Sequence, residues 1–272
     1  MPGVGPAPPC DREAGGCSRR AGSRTVVDMH TNAPVARLVG AEKTYGSGPN
    51  AVHALAGVDL DVIGGRFLAV MGPSGSGKST LMHCLAGLDT LTRGSVYVGD
   101  TELGSLDDKA LTHLRRDRIG FVFQQFNLIP TLTCRENIEL PVRLAGRRLD
   151  PAWFDTVVGA VGLGHRLEHR PAELSGGQQQ RVAVARALAT KPDLVFADEP
   201  TGNLDSRTGA EILQFLRDAV DDLGQTVAMV THDPVASTYA HGAVILSDGR
   251  IVDRVEGPTV DDVLDRLTTV GV

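Results

Sequence analysis

Some segments of this chain have the hydrophobic period of a β-strand and others have that of an α-helix, and together these patterns predict an α/β fold. Residues 58–62 alternate between an apolar side chain and aspartate, which is the period of a strand with one solvent-facing side. Residues 207–223 place apolar side chains every three or four positions, which is the period of an amphipathic helix, and Gly224 would end it. Short apolar or alternating runs predict further β structure at residues 35–63, 66–71, 95–98, 119–123, 194–197 and 226–230.

The two ends of the chain differ in their predicted order. Residues 1–33 interleave proline and glycine with arginine and contain no apolar stretch, which indicates a disordered tail rather than a secretory signal. Met29 stands just before the folded part, so the native chain could also begin there. Residues 248–249 predict a tight hairpin turn, and residues 259–269 predict a small amphipathic helix. We therefore expect one folded domain over residues 34–272.

Residues 126–190 combine helical patches with several prolines, and they predict a helical insertion within that domain. Helical patches occur in it, such as residues 153–161, and a longer helix is predicted from Ser175 to about residue 189. Prolines are expected to break the first part of the insertion into short pieces, at Pro130, Pro141, Pro151 and Pro171.

The composition narrows the class of protein. The chain has 272 residues, of which 42% are hydrophobic, so it can form a sizeable core. Its net charge of −6 argues against a general nucleic-acid binder. No apolar run approaches the roughly 20 residues that cross a bilayer. The four cysteines form no Cys-x-x-Cys pair, so they predict neither a zinc site nor a disulfide framework and are typical of a reducing cytosol.

Residues 72–80 fit the pattern Gly, four residues, Gly-Lys-Ser, which is typical of a phosphate-binding loop. A predicted strand precedes the loop and a helix ending at Gly87 follows it, which argues against an ordinary glycine-rich turn. The glycines let backbone N–H groups point at phosphate oxygens, Lys78 adds positive charge, and Ser79 offers a hydroxyl to Mg²⁺. The predicted nucleotide-binding residues are Gly72, Pro73, Ser74, Gly75, Ser76, Gly77, Lys78, Ser79 and Thr80.

A second candidate anion site lies at the start of the helix that Ser175 would cap. A capped, glycine-bearing helix start directs backbone N–H groups and a positive dipole end at an anion. A plain helix start would look the same, although a second anion site suits a chain that already has a phosphate loop. The residues at this helix start are Ser175, Gly176, Gly177 and Gln178.

Two adjacent carboxylates, Asp198 and Glu199, follow the predicted strand at residues 194–197. Carboxylates at the end of a buried strand are costly unless they meet a cation, although the strand could simply emerge into solvent there. In a phosphoryl-transfer site, Asp198 would hold Mg²⁺ through its water shell and Glu199 would orient or deprotonate the attacking water. His232 follows the next predicted strand and is a candidate for contact with the γ-phosphate, although a lone histidine is usually structural.

Two further features have an ordinary explanation when they are taken alone. Tyr45 could stack on a purine, but a loop tyrosine more often packs on its neighbours. Residues 165–169 match the zinc-protease pattern His-x-x-Glu-His. The glycines and proline around them leave little more than a turn, so we do not expect a zinc site.

With these motifs in order, residues 36–254 resemble the ATP-binding subunit of an ABC (ATP-binding cassette) transporter. The signature of that family matches residues 174–178, and its D-loop matches residues 203–205, with Asp205 near the nucleotide. The glutamine loop would use Gln124, with Gln125 as the alternative, and Tyr45 becomes the adenine-stacking residue. The catalytic residues that the resemblance implies are Lys78, Gln124, Glu199 and His232, and the implied metal ligands are Ser79, Gln124 and Asp198.

The resemblance implies a P-loop NTPase fold of the α/β class, with a mainly parallel sheet, an antiparallel β subdomain and a helical subdomain. It also implies hydrolysis of ATP with Mg²⁺ by a homodimer, in which each ATP lies between the phosphate loop of one chain and the signature helix of the other. A separate membrane permease would hold the protein at the inner, cytoplasmic face of the membrane, and no nucleic-acid partner is expected. The alternative is an ABC ATPase of translation or DNA repair, which usually carries two cassettes or a long insertion.

Residues 123–130 and the doubled glutamines after the signature resemble the subunits that serve lipoprotein release, macrolide and peptide export, and cell division. An apolar cluster follows the glutamine loop, at Phe126, Leu128, Ile129 and Leu132. It either packs under the insertion or faces a partner. We favour contact with the permease, because the coupling helices of the family dock beside this loop.

Overall fold

The computed structural model describes residue 5 and residues 33–270. The predicted disordered tail and the possible start at Met29 lie outside this part, apart from residues 5 and 33. The strands are β1 (Pro34–Tyr45), β2 (Val52–Ile63), β3 (Phe67–Met71), β4 (Arg93–Val98), β5 (Thr101–Glu102), β6 (Ile119–Phe123), β7 (Leu194–Asp198), β8 (Val227–Val230), β9 (Gly242–Ser247) and β10 (Arg250–Glu256). The α-helices are α1 (Lys78–Leu85), α2 (Asp108–Arg118), α3 (Cys134–Leu144), α4 (Pro151–Ala160), α5 (Gly176–Leu188), α6 (Ser206–Asp221), α7 (Pro234–Ser237) and α8 (Val260–Thr269).

The larger sheet is mainly parallel and has the strand order β10-β9-β3-β8-β7-β6. Strand β10 pairs antiparallel with β9, and the remaining pairs are parallel. The turn between β9 and β10 has Asp248 and Gly249 at φ values of 47° and 71°, which confirms the predicted hairpin. Parallel strands end at the same edge of a sheet, so the residues that follow β3, β6, β7 and β8 are neighbours.

The smaller sheet is antiparallel, with the strand order β2-β1-β4-β5. The alternation predicted for β2 is confirmed, since Val58, Leu60 and Val62 are buried and the two aspartates between them are exposed. These buried residues share a core with α1 and with one face of the larger sheet. The helices α3 to α6 and α8 cover the opposite face and form a second core there. Both sheets therefore support the loop between β3 and α1.

The helical segment between β6 and β7 contains α3, α4 and α5. The prediction that Pro141 breaks the chain is wrong, because α3 continues through it and ends at Leu144. A capping box at Thr133 starts α3, its residues Ile138 and Val142 are buried in the core, and Pro141 removes only the hydrogen bond that its own N–H would make to the Asn137 carbonyl oxygen. Pro151 occupies the first turn of α4, where its missing N–H costs little.

Helix α2 was not predicted from the sequence. Its single buried residue is Leu114, so it has no apolar stripe that a periodicity would detect. Asp107 caps its start, and three arginines lie in its last turn, which are the signals that could have found it. Among the helices of residues 33–270, none is long and apolar enough to cross a membrane.

Candidate active site

The loop of residues 72–80 lies at the centre of the candidate site, between β3 and α1 as predicted. Two of its glycines are required by close packing as well as by positive φ. A Cβ at Gly72 would lie 2.0 Å from the Leu246 carbonyl oxygen, and a Cβ at Gly77 would lie 2.2 Å from that of Ala54. The loop is therefore held against both sheets, in one conformation that only glycine permits at these positions.

Lys78 and Ser76 present polar groups inside this loop. Lys78 is buried, and its Nζ donates to the carbonyl oxygens of Gly72 at 2.8 Å and Pro73 at 2.7 Å. Burial lowers the pKa of Lys78, although the nearby Glu199 and Asp198 carboxylates oppose that shift. Ser76 Oγ is buried and has no hydrogen-bond partner within residues 33–270. An unsatisfied hydroxyl beside a buried cation fits a site for a phosphate group.

The two predicted carboxylates have different surroundings. Burial raises the pKa of Asp198, and the Glu199 charge adds to this, whereas His83 and Lys78 oppose it. Glu199 has a φ of 44°, which is uncommon for a residue with a side chain and often marks a functional position. Its Oε1 lies 2.8 Å from Nδ1 of His232, which follows β8. The structure thus brings Glu199 and His232 into contact beside the phosphate loop.

Gln124 follows β6 and lies against the turn after β7. The side chain of Asn203 donates to the Gln124 carbonyl oxygen at 2.9 Å, and the Gln124 Nε2 lies 3.5 Å from Asn203 Oδ1. A Cβ at Gly202 would lie 2.7 Å from the same Nε2. Gln124, rather than Gln125, therefore makes the contact with the D-loop segment.

The predicted signature residues form the N-terminal turn of α5. Ser175 caps the helix in a capping box with Gln178, since each side chain pairs with the backbone N–H of the other. Gly177 is packed so closely that a Cβ there would lie 2.2 Å from Thr208 Cγ2. Asp205 accepts hydrogen bonds from the same threonine and caps α6. The structure thus brings the signature and the D-loop together.

The two predicted anion sites, the signature residues and the phosphate loop, are separate in the described part of the chain, without hydrogen bonds between them. Within residues 33–270, no hydrogen bond links residues 175–178 to residues 72–80. Ser175 is exposed at the start of α5. The first residue of the second candidate anion site is therefore exposed, whereas Gly177 in the same turn is buried.

Tyr45 lies at the end of β1 and is 41% exposed. Its hydroxyl donates to Asp89 Oδ2 at 2.6 Å, and Lys43 Nζ lies 4.8 Å from the ring centroid. Lys43 also donates to Asp89 at 2.6 Å. Burial raises the pKa of the Asp89 carboxyl, but the hydrogen bonds from Lys43 and Tyr45 outweigh burial and hold that pKa below its ordinary value. The sequence analysis missed both partners; the lysine on the same side of the strand as Tyr45 was the available signal.

The zinc-protease pattern at residues 165–169 does not form a helix. Gly164–Arg166 form one 3-10 turn, and His169 Nε2 lies 3.0 Å from an Arg166 guanidinium nitrogen. The prediction of little more than a turn is confirmed.

The parallel sheet, the glycine loop with its buried lysine, and the carboxylates at the strand ends define a P-loop nucleoside triphosphatase. A sequence profile of the family described as ABC transporter matches residues 55–202, which is more than half of the chain. The chain belongs to the ABC transporter family, and its fold is that of an ABC ATPase. It is an ATPase of that family.

The chain is similar to several proteins of this family. An uncharacterised ABC transporter ATP-binding protein, MJ0796 of Methanocaldococcus jannaschii, is 44% identical over 79% of this chain and 94% of that protein. The lipoprotein-releasing system ATP-binding protein LolD of Geobacter metallireducens is 47% identical over 77% of this chain and 94% of its own. The macrolide export ATP-binding/permease protein MacB of Marinobacter nauticus is 45% identical over 81% of this chain, which spans only 34% of MacB.

A solved structure resembles this fold closely. It is described as the dimeric structure of a post-hydrolysis state of the ATP-binding cassette MJ0796 bound to ADP and Pi. Its TM-score is 0.73 at 42% identity, and the match covers 82% of this chain and 98% of that one.

Proposed function

We propose that this chain is the ATP-hydrolysing subunit of an ABC transporter of the lipoprotein-release or macrolide-export type, and that it drives a separate membrane permease. The observation that carries the proposal is the meeting of Lys78, Asp198, Glu199 and His232 at one edge of the parallel sheet. The relatives LolD and MacB support the transporter type. An ABC ATPase of translation or DNA repair finds no support in the relatives named above.

The site residues have separate tasks in this proposal. Lys78 and the loop N–H groups hold the outer phosphates of ATP, and Tyr45 stacks on its adenine. Mg²⁺ would neutralise charge on the phosphate oxygens, with Ser79, Gln124 and Asp198 around it.

Glu199 orients and deprotonates the attacking water, because it stands at the end of β7 in contact with His232. His232 fixes the direction of that carboxylate and reaches toward the γ-phosphate. The left-handed backbone at Glu199 is uncommon for a residue with a side chain, and its carboxylate is near enough to Lys78 of the phosphate loop to affect the pKa of that lysine.

The exposed Ser175 at the start of the signature helix supports a head-to-tail homodimer. Ser175 and Gly177 of one chain would then close on the ATP that the other chain holds in its phosphate loop. Asp205 caps the neighbouring helix and lies at the same surface. ATP would act as the link between the two chains, and its hydrolysis would release them. The MJ0796 cassette bound to ADP and Pi is described as dimeric, which supports the proposal of a dimer.

The substitution Glu199→Gln tests the proposal, because it keeps the shape of the side chain and removes the base. ATP should still bind, turnover should fall by about 10²–10⁴-fold, and the dimer should persist with Mg-ATP. Size-exclusion chromatography and a phosphate-release assay measure both effects. A variant that stays monomeric at saturating Mg-ATP would contradict the composite site.

A groove of about 460 Å³ beside the glutamine loop is the proposed docking site for the permease, and it would place the protein at the inner face of the membrane. We call it the docking groove; the lining residues used below are Leu88, Phe121, Phe123, Leu144 and Arg186. Leu144 and Leu88 are 69% and 48% exposed, which is unusual for large apolar residues in one groove.

The apolar cluster predicted from the sequence contributes less to such a surface. Leu128 is half-buried and packs against the main core, and a Cβ at Gly176 would lie 3.5 Å from the Phe126 ring. Ile129 is 39% exposed. The docking groove is therefore a better candidate for permease contact than the cluster itself.

A further inference from the structure

Helix α5 carries the signature at its first turn and a buried glutamine one turn later. Gln180 is 0% exposed, and its Nε2 donates to the carbonyl oxygens of Phe123 at 3.2 Å and Pro200 at 2.6 Å. Phe123 immediately precedes Gln124, and Pro200 immediately follows Glu199. One amide group therefore joins the strand ends that carry two of the proposed catalytic residues.

The orientation of this amide is fixed by its partners. A carbonyl oxygen only accepts hydrogen bonds, so the NH₂ group of Gln180 must face both of them. Its Oε1 is buried and has no donor within residues 33–270. Among the described residues, the Gln180 side chain is therefore hydrogen-bonded through its NH₂ group, while its buried Oε1 has no donor.

The same helix holds the other end of the glutamine loop. The guanidinium group of Arg186 donates to the carbonyl oxygens of Phe126 at 3.0 Å and Asn127 at 2.5 Å. Arg186 is mostly buried, and burial lowers its pKa. Helix α5 is therefore attached to the backbone on both sides of Gln124, by Gln180 before it and by Arg186 after it.

We infer that Gln180 is a positioning residue that couples the signature helix to the catalytic residues of its own chain. When the first turn of α5 engages the ATP of the other chain, the Gln180 amide passes the shift of the helix to Phe123 and Pro200. These move Gln124 and Glu199 into place, so the two ATP sites of a dimer work together. The inference rests on the proposed composite dimer, and it concerns the link between the two sites.

A purely structural glutamine would behave differently. It would change the stability of the fold and leave the dependence of hydrolysis on ATP concentration as it was. Coupling between two sites instead appears as cooperativity, with a Hill coefficient up to the number of sites. The Hill coefficient therefore separates the two roles.

The substitution Gln180→Met tests the inference, because methionine matches the side chain in length and lacks the donors. Hydrolysis by the full chain is measured across ATP concentrations, and ATP binding is measured by calorimetry. We expect the Hill coefficient to fall from near two toward one and kcat to fall about tenfold, while the Kd for ATP stays within about twofold. The control is Gln214→Met on α6, an exposed glutamine whose amide donates to Asp218 on the same helix, and it should behave as the wild type.

The outcomes separate this inference from the function on which it rests. A cooperative wild type with an equally cooperative Gln180→Met overturns the inference alone. A wild type that hydrolyses ATP without cooperativity and without an ATP-dependent dimer overturns the proposed dimer and the inference together. If Gln180→Met does not fold, Gln180→Glu replaces the donors by acceptors at the same size, and loss of fold in both variants would make Gln180 a packing residue and end the inference.

Discussion

Tyr45 shows how a single predicted residue depends on partners that sequence motifs do not reveal. The family resemblance alone gave it an adenine-stacking role, because a loop tyrosine taken by itself more often packs on its neighbours. In the structure its hydroxyl donates to Asp89, which is 44 residues away, and Lys43 bonds the same carboxylate. Lys43 Nζ lies over one face of the ring, 4.8 Å from its centroid. The Asp89 carboxylate therefore fixes the position of the ring, and in the proposed site it would do so before ATP binds.

The substitution Asp89→Asn should weaken ATP binding through Tyr45. Loss of one charged hydrogen bond costs about 1–2 kcal/mol, so the Kd for ATP should rise about fivefold to thirtyfold with little change in kcat. Calorimetry on Asp89→Asn, Tyr45→Phe and the double variant forms a thermodynamic cycle. If the two single losses simply add, Asp89 does not act through the Tyr45 hydroxyl.

The same carboxylate links stability to pH. Its pKa is lower in the folded protein than its ordinary value of 3.8. The ion pair with Lys43 therefore stabilises the fold at pH values above 3.8, and this contribution is lost as the pH falls through the lower, folded-state pKa.

At the scale of elements, the sequence predicted the strands and helices that have a clear apolar period, and it predicted the motifs at their ends. Helix α2 was not predicted, because only Leu114 is buried on it. The contacts between motifs were not predicted either, such as the hydrogen bonds of Gln180 with Phe123 and of Asn203 with Gln124. These pairs lie 57 and 79 residues apart, so only the folded topology brings them together.

The start of α1 gives a prediction for an element. Gly77→Ala places a Cβ 2.2 Å from the Ala54 carbonyl oxygen at a φ of 104°, whereas Gly40→Ala meets open space at a φ of 53°. Gly40→Ala is the control, and it should lose about 1–2 kcal/mol of unfolding free energy because of its left-handed backbone alone. Gly77→Ala should lose clearly more, and ATP binding as well, because its loop must move away from β2. Urea unfolding measures the difference, and equal losses would mean that the loop adapts freely.

At the scale of the whole molecule, the docking groove lies where the helical segment meets the parallel sheet. Phe121 and Phe123 of β6 form part of its lining, and the strand continues directly into Gln124. Arg186 faces the groove and also bonds the backbone after Gln124. A partner seated in the groove would therefore press on the elements that carry the catalytic residues. This continuity gives a physical route from ATP hydrolysis to movement of a permease.

The docking prediction is tested by Leu88→Ser combined with Leu144→Ser. Both side chains are largely exposed, so their loss should change stability little, and basal hydrolysis should stay within about twofold. Loss of two buried leucine contacts at an interface costs about 3–6 kcal/mol, so the Kd for the permease should rise at least a hundredfold, and co-purification with it from detergent-solubilised membranes should fall strongly. Val252→Ser with Leu264→Ser is the matched control, since these residues are 48% and 46% exposed on β10 and α8. Full co-purification of the groove variant, or equal loss in the control, would place the permease elsewhere on the surface.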